Sequence, residues 1–233
     1  MEIVRPSHEI WTHLDGDEIL RHIEHCGRVA YQSDDRTTPD SAARFVWRLI
    51  QRGHESVLEH TNITVNFITD RATANELVRH RMAAFTQEST RYVKYDNTRI
   101  CLTEDAEDHL SDMLDALVES GGAYSGMILD GCAAQTARRV LPLCLATQIV
   151  MTANLREWRH VLRIRTARDA HPDMRALMIP LLSDFKNKIP VVFDDILTDT
   201  QVVNPCVCCG AETPEGRHVC GACERQRHLK GGE

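Results

Sequence analysis

The segment from residue 79 to residue 92 combines side chains that bind phosphates. Its sequence, RHRMAAFTQESTRY, places guanidinium, amide and hydroxyl groups close together. Guanidinium groups bind phosphate oxygens through paired hydrogen bonds, and hydroxyl and amide groups can bind the sugar of a nucleotide. The segment therefore predicts a cradle for a nucleotide phosphate, with a surface loop stabilised by ion pairs as the alternative interpretation.

A second group of reactive side chains lies near the C-terminus. Cys206 and Cys209 form one Cys-x-x-Cys pair, and Cys220 and Cys223 form another. Two such pairs can supply four thiolates to one tetrahedral zinc ion. Residues 204–233 are therefore predicted to form a zinc-ribbon-like module that the metal folds, because so short a tail cannot build a core. Disulfides and a reactive tail without metal are the alternatives.

The remaining residues, 1–203, carry alternating helix and strand patterns. Residues 61–69 alternate, with Ile63, Val65 and Phe67 on one side, which predicts a half-buried strand. A second, buried strand is predicted in the apolar stretch that follows Pro142. Apolar residues at helical spacing predict helices at 17–31, 41–52, 104–127 and 173–188. The fold is therefore predicted to be a mixed α/β (α+β) domain.

Two polar residues stand where helices should begin directly after strands. Asp70 can cap a helix that continues into Arg79–Arg81, and Asn154 can cap the helix LREWRHVLRIR. Trp158 on this second helix is expected to lie in the core. Gly121 and Gly122 are candidates to interrupt the helix predicted at 104–127.

The composition limits the classes of function. The chain has 233 residues, a formal net charge of -7 and no apolar run of the roughly 20 residues that a membrane span needs. Its N-terminus lacks the pattern of a secretion signal, so a cytoplasmic protein is expected. An acidic chain argues against a surface that coats nucleic acid, so a nucleic-acid contact is expected only through the mildly basic tail.

Four motifs, in order along the chain, resemble those of the flavin-dependent thymidylate synthases. The signature reads Arg79-His80-Arg81, then seven residues, then Ser89-Thr90-Arg91-Tyr92. HESVLEH (54–60), ARRVLP (137–142) and NLREWRHVLRIR (154–165) are similar to further family segments. The resemblance implies that residues 1–203 form the family's domain, with helices and an antiparallel-type sheet, and several ordered motifs are more specific than one.

The resemblance also implies a reaction. Members convert dUMP to dTMP, with 5,10-methylenetetrahydrofolate as carbon donor, NADPH as reductant and FAD, bound between subunits of a homotetramer, as cofactor. No cysteine nucleophile is needed, and the signature of this chain contains no cysteine. Two alternatives remain: a flavoenzyme acting on another pyrimidine nucleotide, and a non-catalytic zinc-ribbon protein that binds nucleic acid.

Site residues follow from the matched positions. The expected flavin contacts are His54, Ser56, Glu59, Arg79, His80, Arg81, Asn154, Arg156 and His160. The expected dUMP contacts are Glu76, Arg79, Gln87, Ser89, Thr90, Arg91, Arg138 and Arg165.

Particular roles are expected for four of these residues. Arg91 and Arg138 are assigned to the phosphate, since guanidinium groups suit it. Arg165 is assigned to the pyrimidine, where a cation stabilises negative charge as C5 becomes nucleophilic. Ser89 is assigned to substrate orientation, because no His–Asp partner stands at a triad spacing.

Three positions depart from the family pattern. His160 stands where some members have Asn, Glu76 where some have Gln, and Thr86-Gln87 where Asn-Glu occurs. Imidazole and amide groups both form hydrogen bonds, so a contact at residue 160 can persist in altered form.

Overall fold

The computed structural model describes residues 1–95, 98–198, 204–205 and 212–213. The elements in chain order are β1 (Glu2–Val4), β2 (Ser7–Ile10), α1 (Gly16–Val29), α2 (Ser41–Gln51), β3 (Asn62–Asp70), α3 (Arg71–Leu77), β4 (Ala84–Gln87), β5 (Arg99–Cys101), α4 (Glu104–Glu107), α5 (Leu110–Leu129), α6 (Ala134–Ala137), β6 (Ala146–Asn154), α7 (Leu155–Arg165), α8 (Pro172–Lys188), β7 (Asn204–Pro205) and β8 (Glu212–Thr213). Short 3-10 helices lie at Asp34–Arg36, Glu55–His60 and Arg138–Val140.

The central sheet is antiparallel and has the strand order β2-β3-β6-β4. Its two long strands, β3 and β6, pair over their full length, from Asn62 opposite Asn154 to Asp70 opposite Ala146. A separate two-stranded sheet pairs β1 with β5 in parallel. The predicted mixed helix-and-strand class is confirmed.

The alternation along β3 separates an apolar face from a polar face. Ile63, Val65 and Phe67 are fully buried, as predicted. The polar face is also largely covered, because its side chains pair across the strands. The Thr64 and Thr152 hydroxyls lie 2.8 Å apart, and the buried Asn66 accepts from Gln148 Nε2 at 2.9 Å. The strand is thus more deeply buried than the half-buried strand predicted from its pattern.

Both predicted helix caps are present. Asp70 Oδ1 accepts from the Thr73 amide at 2.7 Å, and Asn154 Oδ1 accepts from the Glu157 amide at 2.8 Å. These side chains satisfy amide groups that have no partner inside the helix. The expected length of the first helix is wrong: α3 ends at Leu77, and the next residues form a turn in which the His80 amide donates to the Leu77 carbonyl.

Two other expectations also need correction. The helical region predicted at 104–127 consists of two helices, α4 and α5, and α5 continues through Gly121 and Gly122 without interruption. A Cβ at Gly121 would lie 3.2 Å from Thr98 Oγ1, so this glycine permits a close approach of neighbouring chain. The second half of the signature begins with an extended segment, the strand β4.

The core lies where α7 and α8 pack against the sheet. Trp158 is fully buried, its indole nitrogen donates to the Ile63 carbonyl at 3.0 Å, and its ring contacts Phe185 edge-on. The expectation that Trp158 belongs to the core is confirmed. Among the described residues, no helix is both long and apolar enough to cross a membrane.

The chain divides after Asp195 into two units. In the second unit, β7 and β8 form an antiparallel pair with Asn204 opposite Thr213. All four predicted zinc ligands, Cys206, Cys209, Cys220 and Cys223, lie outside the described residues. The zinc site and the predicted boundary between residues 203 and 204 therefore stay predictions.

Candidate active site

Arg165, the last residue of α7, is held by groups from α3 and the turn after it. Its Nη1 donates to Glu76 Oε2 at 2.8 Å, and its Nη2 donates to the Glu76 carbonyl at 3.3 Å. Its Nε donates to His80 Nε2 at 2.9 Å. The structure thus joins Arg165 to two predicted site residues, Glu76 and His80, that lie far from it in sequence, in one fixed arrangement.

His80 is buried and uncharged at neutral pH. Burial, followed by the nearby charges of Arg165 and His160, lowers the pKa of His80 from 6.5 to about 4. Because Nε2 accepts a hydrogen bond from Arg165, the ring proton lies on Nδ1. Nδ1 faces Glu157 Oε1 at 3.8 Å, and this contact is a weak polar one because the imidazole is neutral.

His80, Glu157 and His160 form a cluster with the composition of a metal site. Their potential ligand atoms all lie within 4.8 Å of one another. Both ring nitrogens of His80 are engaged, however, one by the Arg165 donor and the other by its own proton. A metal would have to displace Arg165 from His80. The geometry therefore favours a hydrogen-bonded network that orients Arg165.

A cavity of about 430 Å³ lies beside α7. Four of the nine residues expected to contact the flavin line it: Glu59, Asn154, Arg156 and His160. The Arg156 guanidinium pairs with Glu59 at 2.5 Å, while Asn154 uses its side-chain oxygen to cap α7. The Asn154 amide nitrogen has no partner within the described part of the chain, so it can donate to a ligand in the cavity.

Other expected flavin residues lie outside this lining. His54 and Ser56 are exposed at the start of the short helix Glu55–His60 and do not line the cavity. Arg79 and Arg81 are exposed as well, and neither guanidinium pairs with a carboxylate among residues 1–95 and 98–198. They are available to an anionic ligand.

The expected dUMP residues are placed by β4 and the chain after it. Gln87 at the end of β4 donates to the Thr147 hydroxyl at 3.3 Å, and Arg138 donates to the Thr90 hydroxyl at 3.1 Å. Thr90 and Arg138 are thus adjacent, as a shared phosphate site requires.

Ser89 and Arg91 lie next to this pair in sequence. Ser89 Oγ accepts from the Arg91 amide at 3.4 Å, and no described histidine or carboxylate forms a hydrogen bond with it. The geometry offers no base that would activate Ser89 as a nucleophile. The Arg91 side chain is exposed and stacks 5.3 Å from the centre of the Tyr92 ring.

Sequence reasoning missed several residues near the site. Burial raises the pKa of Glu157, which faces His80, although the nearby His160 lowers it. Its position three residues before His160 on the predicted helix was an available signal. Arg71 donates to the Thr147 hydroxyl at 3.3 Å, close to Gln87, and no motif points to it.

A buried charge network fixes α7 itself. Arg159 is fully buried, and its guanidinium donates to Glu55 at 3.0 Å and to Asp195 at 2.7 Å. It also donates to the Val192 carbonyl. Burial would raise the pKa of Asp195, but hydrogen bonds and positive charge from Arg159 and Arg163 lower it overall. This network attaches the helix to the 55–60 segment and to the chain after α8.

Most of the chain is similar in sequence to known proteins. The family model described as thymidylate synthase complementing protein matches residues 12–191. The flavin-dependent thymidylate synthase of Corynebacterium efficiens is 30% identical over 217 residues, which cover 84% of this chain and 86% of that protein. The enzyme of the same name from Mycobacterium tuberculosis is 32% identical over 223 residues, covering 85% and 88%.

The fold is also similar to a solved structure. The crystal structure of the UMP/dUMP methylase PolB from Streptomyces cacaoi bound with 5-Br dUMP superimposes with a TM-score of 0.71. The alignment covers 83% of this chain and 96% of that chain, at 20% sequence identity. At this identity the likeness concerns the fold.

Proposed function

The chain belongs to the flavin-dependent thymidylate synthase family, and on that premise we propose that it methylates dUMP to dTMP. FAD is the proposed cofactor, 5,10-methylenetetrahydrofolate the carbon donor and NADPH the reductant. The observation that carries the proposal is the fixed Arg165–His80–Glu76 arrangement, which joins two separate motifs of the family to the end of α3. The proposed chemistry depends on positioning the substrate and the cofactors rather than on a protein nucleophile.

The residues beside α7 fit a flavin. The cavity combines the apolar side chain of Met82 with the Asn154 amide and the His160 imidazole. Its volume of about 430 Å³ suits one part of the cofactor. The unpaired Arg79 and Arg81 guanidinium groups nearby in sequence suit its phosphates. Bound FAD would supply redox chemistry that no side chain of this protein can provide.

The side chains of this protein would bind and orient dUMP. Arg91 and Arg138 hold the phosphate, and Ser89 with Gln87 orients the sugar and base. Arg165 faces the pyrimidine and stabilises negative charge on it. Because His80 is neutral, it accepts from Arg165 without repelling it, and thereby fixes the direction of the guanidinium.

The departures from the family pattern alter the surroundings of Arg165 without removing it. Glu76 provides a carboxylate where some members have an amide, so its bond with Arg165 is an ion pair. A charged partner strengthens this hydrogen bond and reduces the freedom of the guanidinium. Glu76 is therefore proposed to position Arg165 rather than to contact dUMP itself.

The proposal includes a homotetramer with FAD sites between subunits. His54 and Ser56 are exposed and lie outside the cavity beside α7. Side chains placed in this way are accessible to the FAD site of a neighbouring protomer. Light scattering should give a molar mass about four times the chain mass of 26.4 kDa. A monomer that binds FAD fully would contradict this part of the proposal.

Zinc binding by the tail is a further part of the proposal, supported by the two Cys-x-x-Cys pairs. Mass spectrometry of the intact protein should find one zinc ion per chain. The Cys206→Ser variant should lose it and keep its flavin. A colourless variant would contradict the separation of the two sites.

Product analysis tests the proposed reaction. The full-length protein is incubated with FAD, NADPH, 5,10-methylenetetrahydrofolate and either dUMP or UMP, and the nucleotides are separated and identified by mass. Formation of dTMP that requires FAD supports the proposal. A methylated product from UMP alone would instead support the alternative of a different pyrimidine nucleotide, and no product from either would contradict both.

A further inference from the structure

A second, larger cavity lies between the end of α1 and the first half of α2. It measures about 680 Å³, within the range of ligand-binding pockets. Its lining includes four arginines, one exposed aromatic ring and one carboxylate: Arg28, Arg36, Arg44, Arg48, Tyr31 and Asp35. None of its lining residues belongs to the lining of the cavity beside α7.

Arg28 has a structural role in this cavity. It is buried, pairs with Glu24 at 2.5 Å and stacks on Phe45 at 4.9 Å from the ring centre. Its guanidinium also donates to the carbonyls of Ser33 and Arg36, both at 3.1 Å. These bonds hold the 33–36 segment in place, so the backbone that carries Arg36 is fixed before any ligand binds.

The other three arginines are exposed and have no such partners. Within the described ranges, no carboxylate pairs with Arg36, Arg44 or Arg48. Arg44 and Arg48 are four residues apart on α2, and like charges at this spacing destabilise a helix. Their arrangement therefore works against the stability of α2. It suits an anion with several phosphate groups, since guanidinium groups bind phosphate oxygens in pairs.

Tyr31 adds a surface for an aromatic base. Its side chain is 81% exposed and lines the same cavity as the arginines. Gln32, the next residue, has a positive φ of 46°, a backbone conformation that residues other than glycine rarely adopt. An exposed ring beside a cationic cluster provides stacking for the base of a nucleotide.

We propose that this cavity binds the adenosine end of NADPH, with its three phosphate groups on Arg36, Arg44 and Arg48 and its adenine on Tyr31. The three unpaired guanidinium groups match the pyrophosphate and the 2′-phosphate. Asp35 is then a partner for the hydroxyl or amino groups of the nucleoside. The choice of NADPH among phosphorylated nucleotides rests on the proposed function, whereas the site itself rests on the cavity.

Binding of NADP⁺ tests the site without turnover. Full-length protein, saturated with FAD so that flavin sites are filled, is titrated calorimetrically with NADP⁺ and with inorganic phosphate. The Arg44→Ala/Arg48→Ala variant should weaken NADP⁺ binding at least about tenfold, because each lost guanidinium removes charged hydrogen bonds. Arg52→Ala is the matched control, since Arg52 is an exposed arginine that follows α2 and lies outside the lining.

Two results of this titration would overturn the site. One is wild-type protein that does not bind NADP⁺, and the other is equal affinity in the double variant and the Arg52→Ala control. Tyr31→Ala should weaken NADP⁺ binding and leave phosphate binding unchanged, and an unchanged NADP⁺ affinity would overturn the role of the ring. A change of molar mass or loss of FAD in the double variant would assign the cavity to a subunit contact or to the flavin instead.

Steady-state kinetics separates this inference from the proposed function. The double variant should raise the KM for NADPH, and the KM for NADH by a smaller factor, because NADH has the pyrophosphate but lacks the 2′-phosphate. Production of dTMP with an unaltered KM for NADPH would overturn the site and keep the proposed function. Binding of NADP⁺ that depends on Arg44 and Arg48, without any dTMP, would keep the site and contradict the proposed function.

Discussion

The arginines of α7 and the three exposed arginines around the α1–α2 cavity differ in their pairing with carboxylates. On α7, each of the four arginines has a carboxylate partner: Arg156, Arg159, Arg163 and Arg165. Around the cavity, Arg36, Arg44 and Arg48 have none in the part of the chain that the structure describes. The same type of side chain therefore has two roles. Arg159, paired and buried, stabilises the fold, whereas an unpaired and exposed arginine is free to bind a phosphate.

Arg165 stands between these two cases. It is paired with Glu76, and its side chain is still 21% exposed. All three nitrogens of its guanidinium donate to Glu76 or His80, and the group is still partly accessible from outside. A cation that faces a substrate needs this combination, because a freely rotating guanidinium would have to be ordered at each turnover.

Removing the buried Arg159 guanidinium should destabilise the fold. Arg159→Met leaves Glu55 and Asp195 without their buried cation, and we expect the free energy of unfolding to fall by about 3–5 kcal/mol. Denaturant titration measures the change. In the control Arg163→Ala, an exposed partner of the same two carboxylates is lost, and the expected change is within about 1 kcal/mol. Equal losses in the two variants would contradict the distinction.

Loss of the Arg165 guanidinium should affect catalysis more than folding. Arg165→Ala is expected to lower kcat for dUMP about 10²- to 10³-fold, as removal of a charge-stabilising donor does. Spectroscopic titration should find FAD binding unchanged. A variant with normal kcat would refute the role of Arg165, and one that cannot bind FAD would assign it to the cofactor site.

Arg91 extends the comparison, since no carboxylate among the described residues pairs with it and it is assigned to the phosphate of dUMP. Arg91→Ala should weaken dUMP binding by about ten- to a hundredfold through the loss of charged hydrogen bonds. FAD binding should change much less. Calorimetric titration of both ligands measures this ratio, with Arg168→Ala, another exposed arginine, as control. Equal losses for both ligands would argue against the assignment.

The smallest expected effect concerns the neutral imidazole that orients Arg165. The pKa of His80 is 6.5 unfolded and about 4 folded, so the unfolded chain binds a proton first as pH falls. Stability contributed by the neutral ring is complete above 6.5 and is lost as pH falls toward 4. The His80→Asn variant should lose less stability over this interval. Denaturant titrations at pH 6.5 and at about pH 4 measure the loss of stability in both proteins. Equal losses in the wild type and the variant would contradict a neutral His80.

The sequence predicted those features that depend on neighbours in the chain. The caps at Asp70 and Asn154 and the alternation of Ile63, Val65 and Phe67 were predictable because each uses residues a few positions apart. Strand β1 was not, since three residues that pair with β5 carry too little pattern of their own.

The candidate site divides in the same way. The family resemblance identified Arg165, His80 and Glu76, but the hydrogen bonds of Arg165 join residues 85 and 89 positions apart. The partners of Arg159 were equally hidden, because Glu55 and Asp195 lie 104 and 36 positions away, and no motif links either of them to Arg159. Residue types that do chemistry can be found from the sequence, whereas their partners are determined by the packing of distant elements.

We propose above all that this protein binds a flavin and uses it on dUMP. An anaerobic visible absorption spectrum of the full-length protein with FAD, recorded before and after NADPH and with or without dUMP, tests it most directly. We expect a bound flavin band that NADPH bleaches, faster when dUMP is present. Failure to bind FAD at any tested concentration would contradict this proposal. A bound flavin that stays oxidised after NADPH is added would also contradict it.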